Sequence, residues 1–150
     1  AEYELIELCS FASELASGLP YQVAIKDEGP CSDFTIAGSK DALARMLENL
    51  LENARRYGGG EITLRCRSTG EGLEISIEDN GPGLSSDELD HAFEPFFRGE
   101  GSRSRSTGGT GLGLGIARAI AHAHGARISL SNLNTGGLRV SLIFPEALMT

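Results

Sequence analysis

Two asparagines one helical turn apart, an aspartate inside a glycine-proline turn and a string of alternating glycines are the residues of this chain best suited to chemistry. Asn49-Leu-Leu-Glu-Asn53-Ala-Arg-Arg56-Tyr57 comes first, then Asp79-Asn-Gly81-Pro-Gly83, Phe93-Glu-Pro-Phe-Phe97-Arg98 and Gly109-Thr110-Gly111-Leu112-Gly113-Leu114. At about 100° per residue, Leu43, Leu47, Leu50, Leu51 and Ala54 form one apolar stripe, with Asn49, Asn53 and Arg56 on a second face beside it. Tyr57 lies at the boundary, and Glu48, Glu52 and Arg55 turn to water. The amide oxygen of Asn53 can complete a magnesium shell without competing with phosphates for the metal's charge, and Asn49 is placed to assist. Arg56 suits a phosphate and Tyr57 a planar base. An ionised carboxylate only accepts hydrogen bonds, so Asp79 suits the exocyclic amine of adenine, which guanine lacks at that position. Gly81 and Gly83 let backbone approach a base with no Cβ in the way. Free amides at a helix N-terminus attract anions, so Thr110, Gly111, Leu112, Gly113 and Leu114 read as a phosphate cradle. The four segments together supply what a magnesium–nucleotide site needs.

Each motif alone has a plainer reading. Asparagines at i and i+4 can simply pair with backbone, Asn-Gly and Pro-Gly both favour turns, and the phenylalanines can be core. The glycine string is not a Walker A loop, because no lysine follows. It is not a Rossmann fingerprint either, since a polar loop precedes it where a strand is needed. Val23-Ala-Ile-Lys26 imitates the lysine strand of eukaryotic protein kinases, but the other motifs of that fold are missing, leaving an edge-like strand with a surface lysine. His122-x-His124 has no third ligand nearby in sequence, and His124-Gly125 reads as a helix C-terminus.

The elements that must carry these residues follow from periodicity. Residues 3–17 have a helical stripe; Tyr21–Ile25 and Asp33–Ala37 alternate like short strands. Ser39 caps a helix running to about Tyr57, which the glycines at 58–60 end. Ile62–Cys66 and Leu73–Ile77 form a hairpin that delivers Asp79. A short helix at 85–92, a mobile loop at 99–110, a helix at 111–124 and strands at 127–132 and 138–144 complete the chain. The segment 98–110, anchored by aromatics and glycines, has the makings of a flap carrying Arg98, Arg103 and Arg105 over a nucleotide. Helices interleaved with largely antiparallel strands give an α+β two-layer sandwich.

The length of 150 residues fits one domain, 1–150. The net charge of −8 disfavours a nucleic-acid surface. Cys9, Cys31 and Cys66 are widely spaced and read as reduced thiols of a cytoplasmic protein. There is no signal peptide and no apolar run near 18 residues, so no direct membrane contact is expected; the start at Ala1 reads as an excised fragment.

Over roughly residues 35–145, the four segments resemble the N, G1, F and G2 boxes of bacterial sensor histidine kinases. Their ATP-binding domain belongs to the superfamily of DNA gyrase, heat-shock chaperones and mismatch-repair ATPases. The resemblance implies a Bergerat-type fold, a mixed sheet of about five strands covered by three helices. It implies ATP and Mg2+ as cofactors, with Asn53 as the magnesium ligand, assisted by Asn49, and Arg56 beside them. Tyr57, Asp79, Gly81, Gly83, Arg98 and Thr110 through Leu114 would hold the nucleotide. The γ-phosphate would pass to a histidine on a separate dimerisation domain of the same kinase, then to a response-regulator aspartate. No segment here matches the acceptor motif, so the isolated domain should not phosphorylate itself. The parent would be an inner-membrane sensor with this domain in the cytoplasm.

Hydrolysing members of the superfamily carry a glutamate four residues before the magnesium asparagine, as general base. Here that position is Asn49, which favours transfer over hydrolysis. The alternative is a degenerate nucleotide-binding regulatory module, against which the intact boxes argue. Two departures stand out. Arg56 replaces a frequent lysine, and Gly136-Gly137-Leu138 lacks a threonine that often supports the adenine site, implying that its contact is lost or taken over by water. Osmosensor-type kinases show similar segments.

Overall fold

Leu43, Met46, Leu47, Leu50, Leu51 and Ala54 recur at helical spacing and form the buried side of α2 (Lys40–Tyr57) in the computed structural model. The structure describes residues 3–28, 34–94 and 113–150. Ser39 caps α2, its Oγ accepting from the Ala42 amide at 3.2 Å, and Asp41 complements the dipole in the first turn. The helix ends at Gly58, and positive φ values follow at Gly59 and Gly60.

Five strands form the main sheet: β2 (Ala24–Glu28), β4 (Ile62–Thr69), β5 (Gly72–Asp79), β6 (Arg127–Asn132) and β7 (Leu138–Pro145). Their order is β2-β4-β5-β7-β6, with β2 parallel to β4 and the other neighbours antiparallel. Side chains alternate across a strand, so pairs such as Leu64–Ile77 and Ile75–Leu142 share the buried face. Helices α1 (Leu8–Ser17), α2 and α4 (Leu114–Ala123) pack together or against this sheet. The opposite face is a charged lattice. Arg65 bridges Glu28 at 2.7 Å and Glu78 at 3.0 Å, Arg139 takes the second Glu78 oxygen at 2.9 Å, and Arg67 pairs with Glu74. The result is the expected α+β sandwich, with a five-stranded mixed sheet and, among the described residues, α1, α2 and α4 as its helical layer.

Three expectations need revision. Residues 3–17 are not one helix: Glu4–Glu7 is strand β1, antiparallel to β3 (Thr35–Gly38), and α1 starts only at Leu8. Glu7 is extended at φ −83°, ψ 107°, and its carboxylate accepts from the amides of Cys9 and Ser10, which fixes the helix start there. Leu5 is exposed and Ile6 buried, an alternation too short to separate from a helical stripe. The strand read at Tyr21–Ile25 lies at Ala24–Glu28 instead, where it pairs with β4 from Ala24 onward, while Tyr21 lies under the Arg55 guanidinium, 5.3 Å from the ring centroid. The strand read at Asp33–Ala37 is seen as Thr35–Gly38. The short helix is α3 (Ser86–His91), opened by a reciprocal capping box between Ser85 and Glu88. Among the described residues no helix is long and apolar enough to cross a membrane.

Candidate functional site

Asn53 and Tyr57 are one turn apart near the end of α2, and Asp79 is the last residue of β5, so the parallel course of helix and strand brings all three to one cleft. The cleft is open to solvent on one side, and the space within it and its mouth together is about 450 Å³. Leu50 and Ala54 of α2, Ile77 of β5, Leu84, Leu114 of α4, and Leu138 and Val140 of β7 give it apolar walls; Asn53, Tyr57 and Asp79 bring the polar groups. An apolar slot with a few convergent polar groups is suited to a flat heterocycle.

The carboxylate of Asp79 is held in place by backbone. Its Oδ1 accepts from the amide of Gly81 at 3.0 Å and from that of Leu138 at 3.1 Å. Three glycines allow this. A Cβ at Gly137, where φ is +111°, would lie 1.9 Å from the Asp79 carbonyl oxygen. One at Gly58 would lie 2.5 Å from the Asp79 Cβ, and one at Gly81 would lie 2.8 Å from the Gly58 backbone. Gly81 therefore serves the contact between the turn and the end of α2, and Gly83, not Gly81, lines the cleft. Gly83 has φ +73°. Leu138, where the threonine would stand, contributes its backbone amide to Asp79.

Sequence reasoning missed Asn132. Its Oδ1 accepts from the Leu84 amide at 2.9 Å and its Nδ2 donates to the Leu84 carbonyl at 2.7 Å, so one side chain clamps the loop after Gly83. A lone asparagine at a strand end carries no sequence signal for this, since the partner is 48 residues away. Asn49 is half-buried, and a Cβ on Gly113 would sit 3.9 Å from its Oδ1, so it lies beneath the entry to α4. Gly113, at φ +66°, precedes Leu114 as the N-cap of that helix. Arg56 is exposed and outside the cleft lining. Glu52 is turned to the far side of α2, where the Arg55 hydrogen bond, helped by the charges of Arg55 and Arg56 and by Tyr21, holds its carboxyl below the ordinary value against the effect of burial. Glu48 is exposed. Arg98, Thr110, Gly111 and Leu112, with Arg103, Arg105 and the flap they were read to form, lie outside the described residues.

Magnesium characteristically keeps waters and takes one or two protein oxygens plus substrate phosphates. Asn53, a neutral oxygen donor among the residues lining the cleft, is a side chain of the kind that mode uses.

Comparison with known proteins gives these features a lineage. The profile of the histidine kinase-, DNA gyrase B-, and HSP90-like ATPase family matches residues 38–148. The signal transduction histidine-protein kinase BaeS of Escherichia coli K12 is 36% identical over 139 residues, covering 91% of this chain and 29% of BaeS. The sensor histidine kinase GtrS of Pseudomonas aeruginosa is 45% identical over 113 residues, covering 73% of this chain and 22% of GtrS. The chain thus spans less than a third of the length of these relatives. Among solved structures, the ATP binding domain of PrrB from Mycobacterium tuberculosis superposes with a TM-score of 0.74 at 26% identity, covering 97% of this chain and 98% of PrrB's. The histidine kinase domain of the E. coli osmosensor EnvZ gives 0.70 at 26%, covering 97% and 89%. With a matching profile over most of its length, a matching fold and Asn53, Tyr57, Asp79, Gly83 and Leu114 brought to one cleft, the chain belongs to the histidine kinase-, DNA gyrase B- and HSP90-like ATPase family and is homologous to the ATP-binding domains of sensor histidine kinases.

Proposed function

We propose that this domain binds ATP with magnesium and donates the γ-phosphate to a histidine on a separate dimerisation domain of the same sensor kinase, for relay to a response-regulator aspartate. The observation that carries the reading is the Asp79 carboxylate, oriented by the Gly81 and Leu138 amides at the polar end of an otherwise apolar slot. Such an acceptor takes the adenine amine, and Tyr57 borders the same slot. Magnesium, carried in with the nucleotide, would supply charge neutralisation at the phosphates. Asn53 is the residue to hold it, with Asn49 one turn earlier on α2, beneath the start of α4. Gly113 and Leu114 place helix amides toward the phosphate end.

Transfer to a histidine is favoured over hydrolysis by what flanks Asn49. Water attack needs a positioned base; Glu52 is committed to Arg55 and Tyr21, and Glu48 is exposed. A site without a base preserves ATP until a better nucleophile docks. In the cell this corresponds to a cytoplasmic catalytic domain of an inner-membrane sensor, without contact to nucleic acid.

The test is reconstitution. Incubated with radiolabelled ATP and magnesium, the chain alone should bind nucleotide and remain unlabelled, and adding the dimerisation domain should yield acid-labile, base-stable phosphohistidine on that partner. Binding with no label on any partner would select the regulatory-module reading; phosphohistidine on this chain itself would overturn the assignment of the acceptor.

A further inference from the structure

His124 stands at the end of α4, away from the cleft, and its buried imidazole uses both ring nitrogens. Nδ1 lies 2.9 Å from the Ile120 carbonyl oxygen and Nε2 lies 3.1 Å from the Ser39 amide nitrogen. A carbonyl only accepts and a backbone amide only donates, so the ring proton is on Nδ1 and the ring is neutral. Tyr3 stacks on the imidazole, centroids 5.6 Å apart and planes within 3°. Gly38 is the residue that admits the ring, since a Cβ there would lie 2.9 Å from His124 Cδ2. One imidazole thus joins the approach to β1, the end of β3, the cap of α2 and the end of α4.

The helices it joins are the two that border the cleft. The fully buried side chains of α4 are Leu114, Ala117 and Ala121, and small alanines give a helix surface little relief to fix its axial position. A directional bond at one end fixes what apolar contact leaves loose. We propose that His124 is a positioning residue for nucleotide binding: its bond to the Ser39 amide sets the axial position of α4 on α2, and hence where Gly113 and Leu114 stand over Asn49 and Asn53. The bond requires Nε2 as an acceptor, because a proton there would set a donor against the Ser39 donor.

The inference rests on the nucleotide-binding reading of the cleft, and one experiment separates the two. Mg-ATP affinity is measured by calorimetry at pH 8 for the chain, His124→Gln and His124→Leu. A glutamine oxygen reaches about as far as Nε2 and accepts from Ser39. Losing one hydrogen bond corresponds to about fivefold. His124→Gln should bind like the unaltered chain and His124→Leu about fivefold more weakly. A purely structural histidine would lower the melting temperature and leave affinity well below it unchanged. His124→Leu binding as the unaltered chain does, or His124→Gln losing as much affinity as His124→Leu, would overturn the clamp. Failure of the unaltered chain to bind ATP would instead overturn the proposed function. Should His124→Leu not fold, His124→Gln still decides, as does long-range nitrogen NMR, where an Nε2–H tautomer at pH 8 refutes the geometry.

Discussion

Asp79 Oδ1 already takes two backbone amides, and that arrangement makes the effect of Asp79→Asn specific. An asparagine carbonyl can keep both amides, so the turn survives, while the amide NH₂ now presents a donor to the adenine amine. Loss of a hydrogen bond to a charged group costs about 1.5–3 kcal/mol, more than tenfold in affinity. Calorimetry should show that loss with the melting temperature nearly unchanged; equal ATP affinity would remove Asp79 from the site. Asn132→Ala should behave differently, because it frees the Leu84 backbone at both its amide and its carbonyl. We expect about 1–3 kcal/mol of destabilisation in urea melts together with weaker ATP binding, and Asn132→Asp, which keeps only the acceptor, should fall between. At this scale Asp79, Asn53 and Tyr57 were legible in the sequence because their types and spacing are chemically unusual. Asn132 and His124 were not, because each acts through a backbone partner remote in the chain, and nothing local marks such a pairing.

The elements carrying these residues were legible wherever one periodicity ran long enough. α2 and the β4–β5 hairpin came through with their caps and alternation, whereas β1 was hidden inside an apparent helical stripe by its four-residue length. Tyr21 misled the placement of β2, since an aromatic that packs under Arg55 looks like any strand residue in isolation. Between elements, glycines decide how closely the turns meet. Gly136 and Gly137 separate two effects of a side chain: both have positive φ, at +100° and +111°, but only at Gly137 would a Cβ meet another atom, the Asp79 carbonyl oxygen at 1.9 Å. Gly136→Ala should therefore cost only the backbone strain, about 1–2 kcal/mol. Gly137→Ala should cost more and also reduce ATP affinity, because Leu138 must move away from Asp79. Thermal melts and nucleotide titrations of the two variants side by side would check this, and equal behaviour would show that the close contact does not govern the site.

For the whole molecule, the sign of the acid response follows from its carboxylates. Glu52 lies below its ordinary value chiefly through the Arg55 hydrogen bond. For Glu74, burial pushes upward, but hydrogen bonds from Arg67 and Ser141 and the neighbouring arginine charges outweigh it and hold the carboxyl low. A carboxyl lowered in the folded state stabilises the fold above its unfolded value and loses that contribution as pH falls through the folded one. The contribution of these two carboxyls should accordingly be level down to about the ordinary carboxyl value of 4.5 and decline below it. Urea melts in a series from pH 5 downward would read this, and a midpoint rising on acidification over that range would contradict it. Arg67→Gln should flatten part of the decline.

The edge of the main sheet bears on solubility. All five residues of β2 are exposed, and Lys26, Asp27 and Glu28 put three charges in succession on that edge. An open strand edge is a template on which a second chain can add, and charge along it raises the cost of bringing another copy close. The Val23-Ala-Ile-Lys26 run that imitates another kinase's phosphate-binding lysine thus leads into an exposed edge whose charges oppose the stitching of one sheet to another.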